Sequence, residues 1–244
     1  MQTLHKYTGV NPVLHWNTGV LPQIGKQKPA PIAVGDLLFW FSADACSVNG
    51  SNQVTDLTDL SGNGYDVTVV GTPAYTASDA AFNNKPSIAN TASQRYEFSS
   101  INKPSTGGWT FMYVIKASSN TGTPTLFDTQ SGRMVNYSNH SNRYAYFDGS
   151  VKTIGTTVPD TNIHILTFVL DADTNVGEIF RDGVSLGTST FSAKNIANAT
   201  SLFGRHTTSG GGLGFVGSWA QALCWSKALT TEQRQLVEGS FIYT

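Results

Sequence analysis

The stretch Phe215-Val-Gly-Ser-Trp-Ala-Gln-Ala-Leu-Cys-Trp-Ser-Lys-Ala-Leu229, followed by Thr230-Thr-Glu-Gln-Arg-Gln-Leu236, decides the fold. Its first half alternates. Successive side chains of a strand point to opposite faces, so Phe215, Gly217, Trp219, Gln221, Leu223 and Trp225 are expected on one side. Val216, Ser218, Ala220, Ala222 and Cys224 are expected on the other. Thr230 then opens a short helix. Gln233 stands three residues on, where its side chain can reach back to the cap, and Gly239 is placed to stop the helix. A long strand running into a capped terminal helix reads as the closing element of a β domain.

The same signals recur upstream. Leu37-Leu-Phe-Trp-Phe-Ser-Ala43 is apolar enough for a central strand. Val54–Leu60 leads into the tight turn Ser61-Gly-Asn-Gly64 and the strand Tyr65–Val70. Further strands are predicted at Gln94–Ser99, Trp109–Ala117, Thr125–Asp128, Arg133–Tyr137, Arg143–Phe147 and Val151–Ile154. Asn162–Leu170, Gly177–Arg181, Val184–Thr188 and Ser201–Arg205 complete the set, with Asp148-Gly149 and Asp182-Gly183 as hairpin turns. Short strands separated by turn signals, with one terminal helix, predict an all-β two-sheet antiparallel jelly-roll sandwich. The 244 residues, 39% of them hydrophobic, suffice for one such core plus an appendage.

That appendage is the segment 1–34. Residues 5–14 and 15–24 read as two copies of H-x-x-T-G-V-x-P-x-[LI]. His5, Thr8, Gly9, Val10 and Pro12 are matched ten residues later by His15, Thr18, Gly19, Val20 and Pro22. The unit has too few apolar residues to fold alone, and its prolines bias it to extended backbone. It reads as an extended N-terminal arm that docks on another protein or a second copy of the chain; the alternative is a chance resemblance within a tail. Gly25–Pro31 is read as a linker, and the domain as residues 35–244.

Composition excludes several partners. Only 13% of residues are charged and the net charge is -1, so no electrostatic attraction favours nucleic acid or an anionic membrane. No apolar run reaches membrane-spanning length, so insertion is not expected. Met1-Gln-Thr-Leu-His-Lys-Tyr7 lacks the apolar core of a secretory signal: either a signal has been removed or the chain is made in the cytosol, and Met1 favours the second. Two cysteines, Cys46 and Cys224, make no disulfide framework; two small buried residues is the favoured reading.

Several motifs together carry a resemblance. They are Leu38-Phe-Trp-Phe-Ser-Ala-Asp44, Asp59-Leu-Ser-Gly-Asn-Gly-Tyr-Asp66, Trp109-Thr-Phe-Met-Tyr-Val114, Phe180-Arg-Asp-Gly183, and Phe215-x-Gly217 through Trp225-Ser-Lys-Ala-Leu229-Thr-Thr-Glu-Gln-Arg234. Over about residues 36–242 the chain resembles the laminin G-like, concanavalin A-like jelly rolls, in the version common in bacterial and phage proteins. The resemblance implies a sandwich whose last strand closes beside its first. It departs from the family where an acidic residue often found in the final strand is Gln221, and where the Trp before the D-L-S-G turn is Leu57. Because some relatives bind calcium, Asp59 and Asp66 are candidate ligands; no other cofactor is expected.

The same superfamily contains glucanases, whose chemistry needs two carboxylates, about 5–5.5 Å apart in a retaining enzyme. The chain has four glutamates, Glu97, Glu178, Glu232 and Glu238; two fall on the terminal helix, and Glu97 and Glu178 have no carboxylate two residues away. Asp171 and Asp173 sit at a strand end, where turn formation explains them. His164 reads as a sheet histidine with a local partner, and His140 as a loop residue. No catalytic residue is assigned. Glycan recognition is a fairer prospect: Arg133, Tyr137, Arg143, Tyr144 and Tyr146 cluster on two neighbouring strands, and Arg205 and His206 precede a glycine-rich loop. The competing reading is an ordinary polar surface with half-packed tyrosines.

The sequence thus points first to a non-catalytic structural protein docked by its arm into a larger assembly. The resemblance to phage-borne jelly rolls makes that assembly a virion, as a capsid decoration or tail-associated protein made in the host cytoplasm. The alternative is an extracellular or cell-surface module binding polysaccharide, and a glycan hydrolase comes third.

Overall fold

The computed structural model describes residues 30–98, 101–118, 122–129, 135–196, 200–205 and 213–241. The repeats at 5–14 and 15–24, Arg133 and His206 lie outside them. The chain runs through α1 (Ala30–Ala33), β1 (Leu37–Ser42), β2 (Cys46–Val48), β3 (Val54–Leu57), β4 (Val67–Val70), β5 (Ala74–Asp79) and β6 (Lys85–Asn90). It continues through β7 (Arg95–Phe98), β8 (Trp109–Ala117), β9 (Thr125–Asp128), β10 (Val135–His140), β11 (Arg143–Phe147) and β12 (Val151–Ile154). The last elements are β13 (Ile163–Asp171), β14 (Val176–Arg181), β15 (Val184–Thr190), β16 (Ser201–Leu202), β17 (Gly217–Trp225) and α2 (Thr231–Glu238).

Two antiparallel sheets form a jelly-roll sandwich. The first has the order β15-β14-β13-β8-β17-β6-β5, with β1 also paired to β17; the second has the order β12-β11-β10-β9-β16-β7-β4. A small β2–β3 hairpin stands apart. The closing strand β17 lies at the centre of the first sheet. One edge pairs with β8 along its whole length. The other is shared: Gly217–Trp219 face β6, and Gln221–Trp225 face β1. The last strand therefore closes beside the first, as expected.

The simple alternation expected for β17 fails at one residue. Trp219 pairs with Ile115 and Gln221 with Val114, so Ala220 is an extra residue, a β-bulge. A bulge reverses the parity of everything beyond it. Trp219 enters the main core between the sheets, where it stacks on Phe203 at 4.7 Å and meets Tyr96 edge-on at 5.5 Å. Leu223 and Trp225 instead face outward into a second, smaller core with Met112, Val114, Ile165 and Val237. The three large residues thus serve two cores.

The outer core is covered by α2 and by the segment that precedes β1. Thr230 Oγ1 accepts from Gln233 N at 3.3 Å and Thr230 N donates to Gln233 Oε1 at 3.1 Å, the reciprocal cap read from the sequence. Gly239 ends the helix in a right-handed conformation (φ −68°), so the left-handed freedom of glycine is not used there. Arg234 lies 3.8 Å over the Phe180 ring and 2.5 Å from Glu238, which in turn accepts from Thr167 Oγ1 at 2.7 Å. At the other end Pro31 is buried, Trp225 Nε1 donates to Pro31 O at 3.4 Å, and Lys227 Nζ donates to Val34 O at 3.0 Å. The segment Pro31–Val34 is therefore packed on the domain ahead of β1.

Asp59 holds the D-L-S-G turn together. Its Oδ1 accepts from Trp40 N and Ser61 N at 3.0 and 2.9 Å, and its Oδ2 from Ser61 Oγ and Tyr65 N at 2.8 and 3.1 Å. A cation would have to displace these four bonds, so the carboxylate does not fit the calcium role; Asp66, its proposed companion, is exposed. Cys46 and Cys224 are both free thiols, and burial pushes the Cys224 thiol well up.

Candidate functional site

One pole of the sandwich gathers the β10–β11 turn, the loop 155–162, the β14–β15 turn and the segments around 122–124 and 213–216. A bulge in β10 shapes this pole. Tyr137 pairs with Ala145, and His140 with Arg143, which leaves one extra residue on β10 between them. In an unbroken strand, positions 137 and 140 would face opposite ways. The bulge brings their rings to one face, 5.4 Å apart. Ser141 and Asn142, both in the left-handed region (φ 54° and 62°), close the hairpin and set Arg143 across from His140.

Register fixes which face this is. Tyr144 and Tyr146 point into the main core, so Arg143, Ala145 and their partners Tyr137 and His140 point away from it. Arg143 is exposed, and Tyr137, His140 and Arg205 are half-buried. Burial raises the Tyr137 hydroxyl above its usual range; the charge of Arg205 pulls it back and that of Asp128 pushes it further up. Arg205 therefore sits within electrostatic reach of Tyr137. Among the described residues, no carboxylate pairs with Arg143 or Arg205.

Of the seven residues expected to bind glycan, strand register brings Tyr137 and Arg143 to this outward face, while Arg205 is half-buried three residues beyond β16. Tyr144 and Tyr146 are not surface groups: they are 2% and 0% exposed and belong to the core. Tyr146 donates to Thr190 O at 2.8 Å and fills the space that Gly177 leaves, since a Cβ at Gly177 would run into its hydroxyl. Burial pushes that hydroxyl up to about 12. Strand alternation explains the error: Arg143, Tyr144 and Tyr146 cannot all face one way. His140, read as an unoriented loop residue, is the member that sequence reasoning missed, because only the bulge turns it toward Tyr137.

Beside this strip lies a charged knot. His164 Nδ1 is 2.6 Å from Asp182 Oδ2 and its Nε2 is 2.8 Å from Asp160 Oδ1, while Arg181 reaches Asp160 Oδ2 at 3.2 Å. Asp182 and Gly183 form the turn, with φ of 53° and 79°, and Asp182 Oδ1 also accepts from Ile165 N at 2.8 Å. Burial disfavours the charged imidazole, but the bonds to Asp182 and Asp160 outweigh it and raise its pKa. Next to Asp182 opens a cleft of about 420 Å³ lined by Ile165, Gly183, Gln235, Glu238 and Phe241.

These groups are poorly arranged for hydrolysis. Cross-strand register places Glu97, Ser201 and Asp128 in one row on the outer face of the second sheet, a carboxylate pairing that spacing along one strand cannot reveal. Glu97 is tied to Arg95 at 2.7 Å and Asp128 is fully buried. Asp171 accepts from Asp173 N and Thr174 Oγ1 at 2.8 and 2.7 Å, so it shapes its turn. The strip of Tyr137, His140 and Arg143 offers instead an aromatic face with hydrogen-bond donors around it, which is chemistry for holding a polar ring.

No family model and no curated protein matches the chain. Solved structures do match. Domain 4 of AbnA, a GH43 extracellular arabinanase from Geobacillus stearothermophilus in complex with arabinotriose, aligns with a TM-score of 0.60 at 16% identity, over 84% of this chain and 98% of that one. The binding domain of Botulinum Neurotoxin DC in complex with SialylT aligns with a TM-score of 0.60 at 14% identity, over 86% of this chain. The binding domain of Paraclostridial Mosquitocidal Protein 1 aligns with a TM-score of 0.59 at 12% identity, over 84% of this chain. The chain spans about half the length of the two toxin domains, 53% and 52%. At these identities the likeness is one of fold.

Proposed function

We propose that the domain is a non-catalytic carbohydrate-binding module, and that Tyr137, His140 and Arg143 form its binding strip. The observation that carries this reading is the β10 bulge, which turns an aromatic ring, an imidazole and an unpaired guanidinium to one outward face. Sugar rings present apolar C–H faces for stacking and hydroxyls for planar donors, and this strip supplies both. The fold likeness to a domain solved with arabinotriose, covering 98% of that domain, supports the same reading. A polysaccharide partner places the module outside the cell or on its surface; no helix among the described residues is long and apolar enough to cross a membrane. The virion role expected from the sequence gains no support from the three structures named above, and the ten-residue repeats on which it rested lie outside the described residues.

A glycan array followed by calorimetry tests the proposal. Tyr137→Ala and Arg143→Ala should each weaken the best ligand about tenfold, the cost of one stacking or charged contact, while leaving the melting temperature nearly unchanged. Binding to no glycan, or undiminished binding by both variants, would overturn it.

A further inference from the structure

We infer that His164 is a proton-operated latch: its imidazolium fastens the loop 155–162 across one end of the main core, and loss of one ring proton lets that loop open. Geometry fixes the protonation state. Asp182 Oδ2 lies 2.6 Å from Nδ1, and Asp160 Oδ1 lies 2.8 Å from Nε2. A neutral imidazole has one N–H and one lone pair, so it would donate to one carboxylate and set its lone pair against the other. Only the imidazolium donates to both. The carboxylates are themselves kept ionised. Burial works against each, but a backbone N–H, from Asn162 to Asp160 and from Ile165 to Asp182, and the charge of Arg181 favour the anion. Arg181, on β14, reaches Asp160 Oδ2 at 3.2 Å. Tyr144, on β11 across the sandwich, meets Arg181; burial pushes its hydroxyl up and that hydrogen bond pulls it back. Lys116, on β8, pairs with Ile163 and so points to the other face of the sheet from His164.

The two sides of the latch are unequally anchored. Asp182 belongs to the β14–β15 turn, where its N donates to Ile165 O at 2.9 Å and its Oδ1 accepts from Ile165 N at 2.8 Å. Asp160 stands on the loop, and Asn162 N, which donates to it at 2.8 Å, belongs to the same loop. When the ring loses a proton, the anchored Asp182 keeps its donor and the loop loses its bond from Nε2. Pro159 and Asp160 of the loop line a void of about 10 Å³ with the core residues Ile115, Tyr144 and Leu166. That is no more room than one water needs, so the fastened loop keeps solvent from this end of the core. Burial disfavours the charged ring, but the bonds to Asp182 and Asp160 outweigh it and raise its pKa. The latch is therefore complete below about 6.5 and fails as pH rises through the higher folded value.

Two measurements on the intact chain test this. In long-range 1H–15N spectra at pH 7, both ring nitrogens of His164 should carry protons; a single neutral tautomer would overturn the inference. Cleavage within the loop by subtilisin, followed by mass spectrometry from pH 6.5 to pH 9, reports the opening. Each rate is divided by that of a free peptide of residues 153–164 at the same pH. The ratio should rise about tenfold across the range, as expected for the loss of one charged hydrogen bond. Asp160→Asn should open the loop at every pH, and His164→Gln should remove the pH dependence. A wild-type ratio that stays flat, or that rises equally in His164→Gln, would overturn the inference. Both wild-type measurements decide the matter even if a variant fails to fold.

Discussion

At the scale of single residues, His164 makes stability depend on pH. Its folded pKa is raised, so its contribution is complete below the ordinary histidine range, near 6.5, and is lost as pH rises through the higher folded value. Asp160 and Asp182 have the opposite sign. Burial works against both carboxylates, but hydrogen bonds from backbone N–H groups and from His164, with the charge of Arg181, hold their pKa values below the usual range. Their contribution is present above about 3.9 and is lost as pH falls through the lower folded values. Denaturant unfolding followed from pH 4 to pH 9 should therefore show a stability loss of about 1 kcal/mol on the alkaline side, since both carboxylates are well exposed and screened. His164→Gln should flatten that limb; an unchanged limb would show that the imidazole is not charged in the fold. Tyr146 behaves differently from its neighbours on the strand. Tyr146→Phe should cost about 1 kcal/mol for the lost bond to Thr190, and Tyr146→Ala about 3–5 kcal/mol. Equilibrium unfolding of the pair separates this core role from any part in binding.

At the scale of elements, two bulges decide what each strand presents. The limits of β8, β11 and β12 are legible to the residue, because β8 is a long apolar run and the Asp148-Gly149 turn fixes the facing ends of β11 and β12. The strands β5 and β6 are not: Ala74-Tyr-Thr-Ala-Ser-Asp and Lys85-Pro-Ser-Ile-Ala-Asn hold few large apolar residues, and β6 owes its place to pairing with β17. Bulges are invisible to periodicity for a related reason, since an extra residue is defined only against a partner strand. This is why periodicity alone puts Trp219 and Trp225 on one face and hides the Tyr137–His140 contact, whereas the burial of Tyr144 and Tyr146 follows from plain alternation along β11. The bulge at Ala220 also leaves Gln221 buried at 3% exposure, with Oε1 accepting from Trp40 Nε1 at 2.7 Å and Nε2 donating to Ser42 Oγ at 2.8 Å. An acidic residue at this position should therefore harm this chain. Gln221→Glu loses the donor to Ser42 and buries a charge, which should cost about 1–3 kcal/mol at neutral pH, and the loss should disappear as the carboxyl protonates in acid. A neutral or stabilised variant in chemical denaturation would contradict the assignment of that amide.

At the scale of the whole molecule, the proposed reading assigns support to one sheet face and recognition to another. The first sheet is covered on its outer face by α2 and by the segment 30–34, so that face is committed to a second core. The outward face of β10 and β11 carries polar and aromatic groups on a tight hairpin, which is where a binding surface costs the fold least. Chemical-shift mapping of the isotope-labelled protein, titrated with the tightest ligand from the glycan array, tests this division most directly. The predicted result is a cluster of shifted amides at residues 137–145. Shifts centred instead on the cleft formed by residues 182–183 and 235–241, or on the opposite pole around residues 148–150, would contradict it.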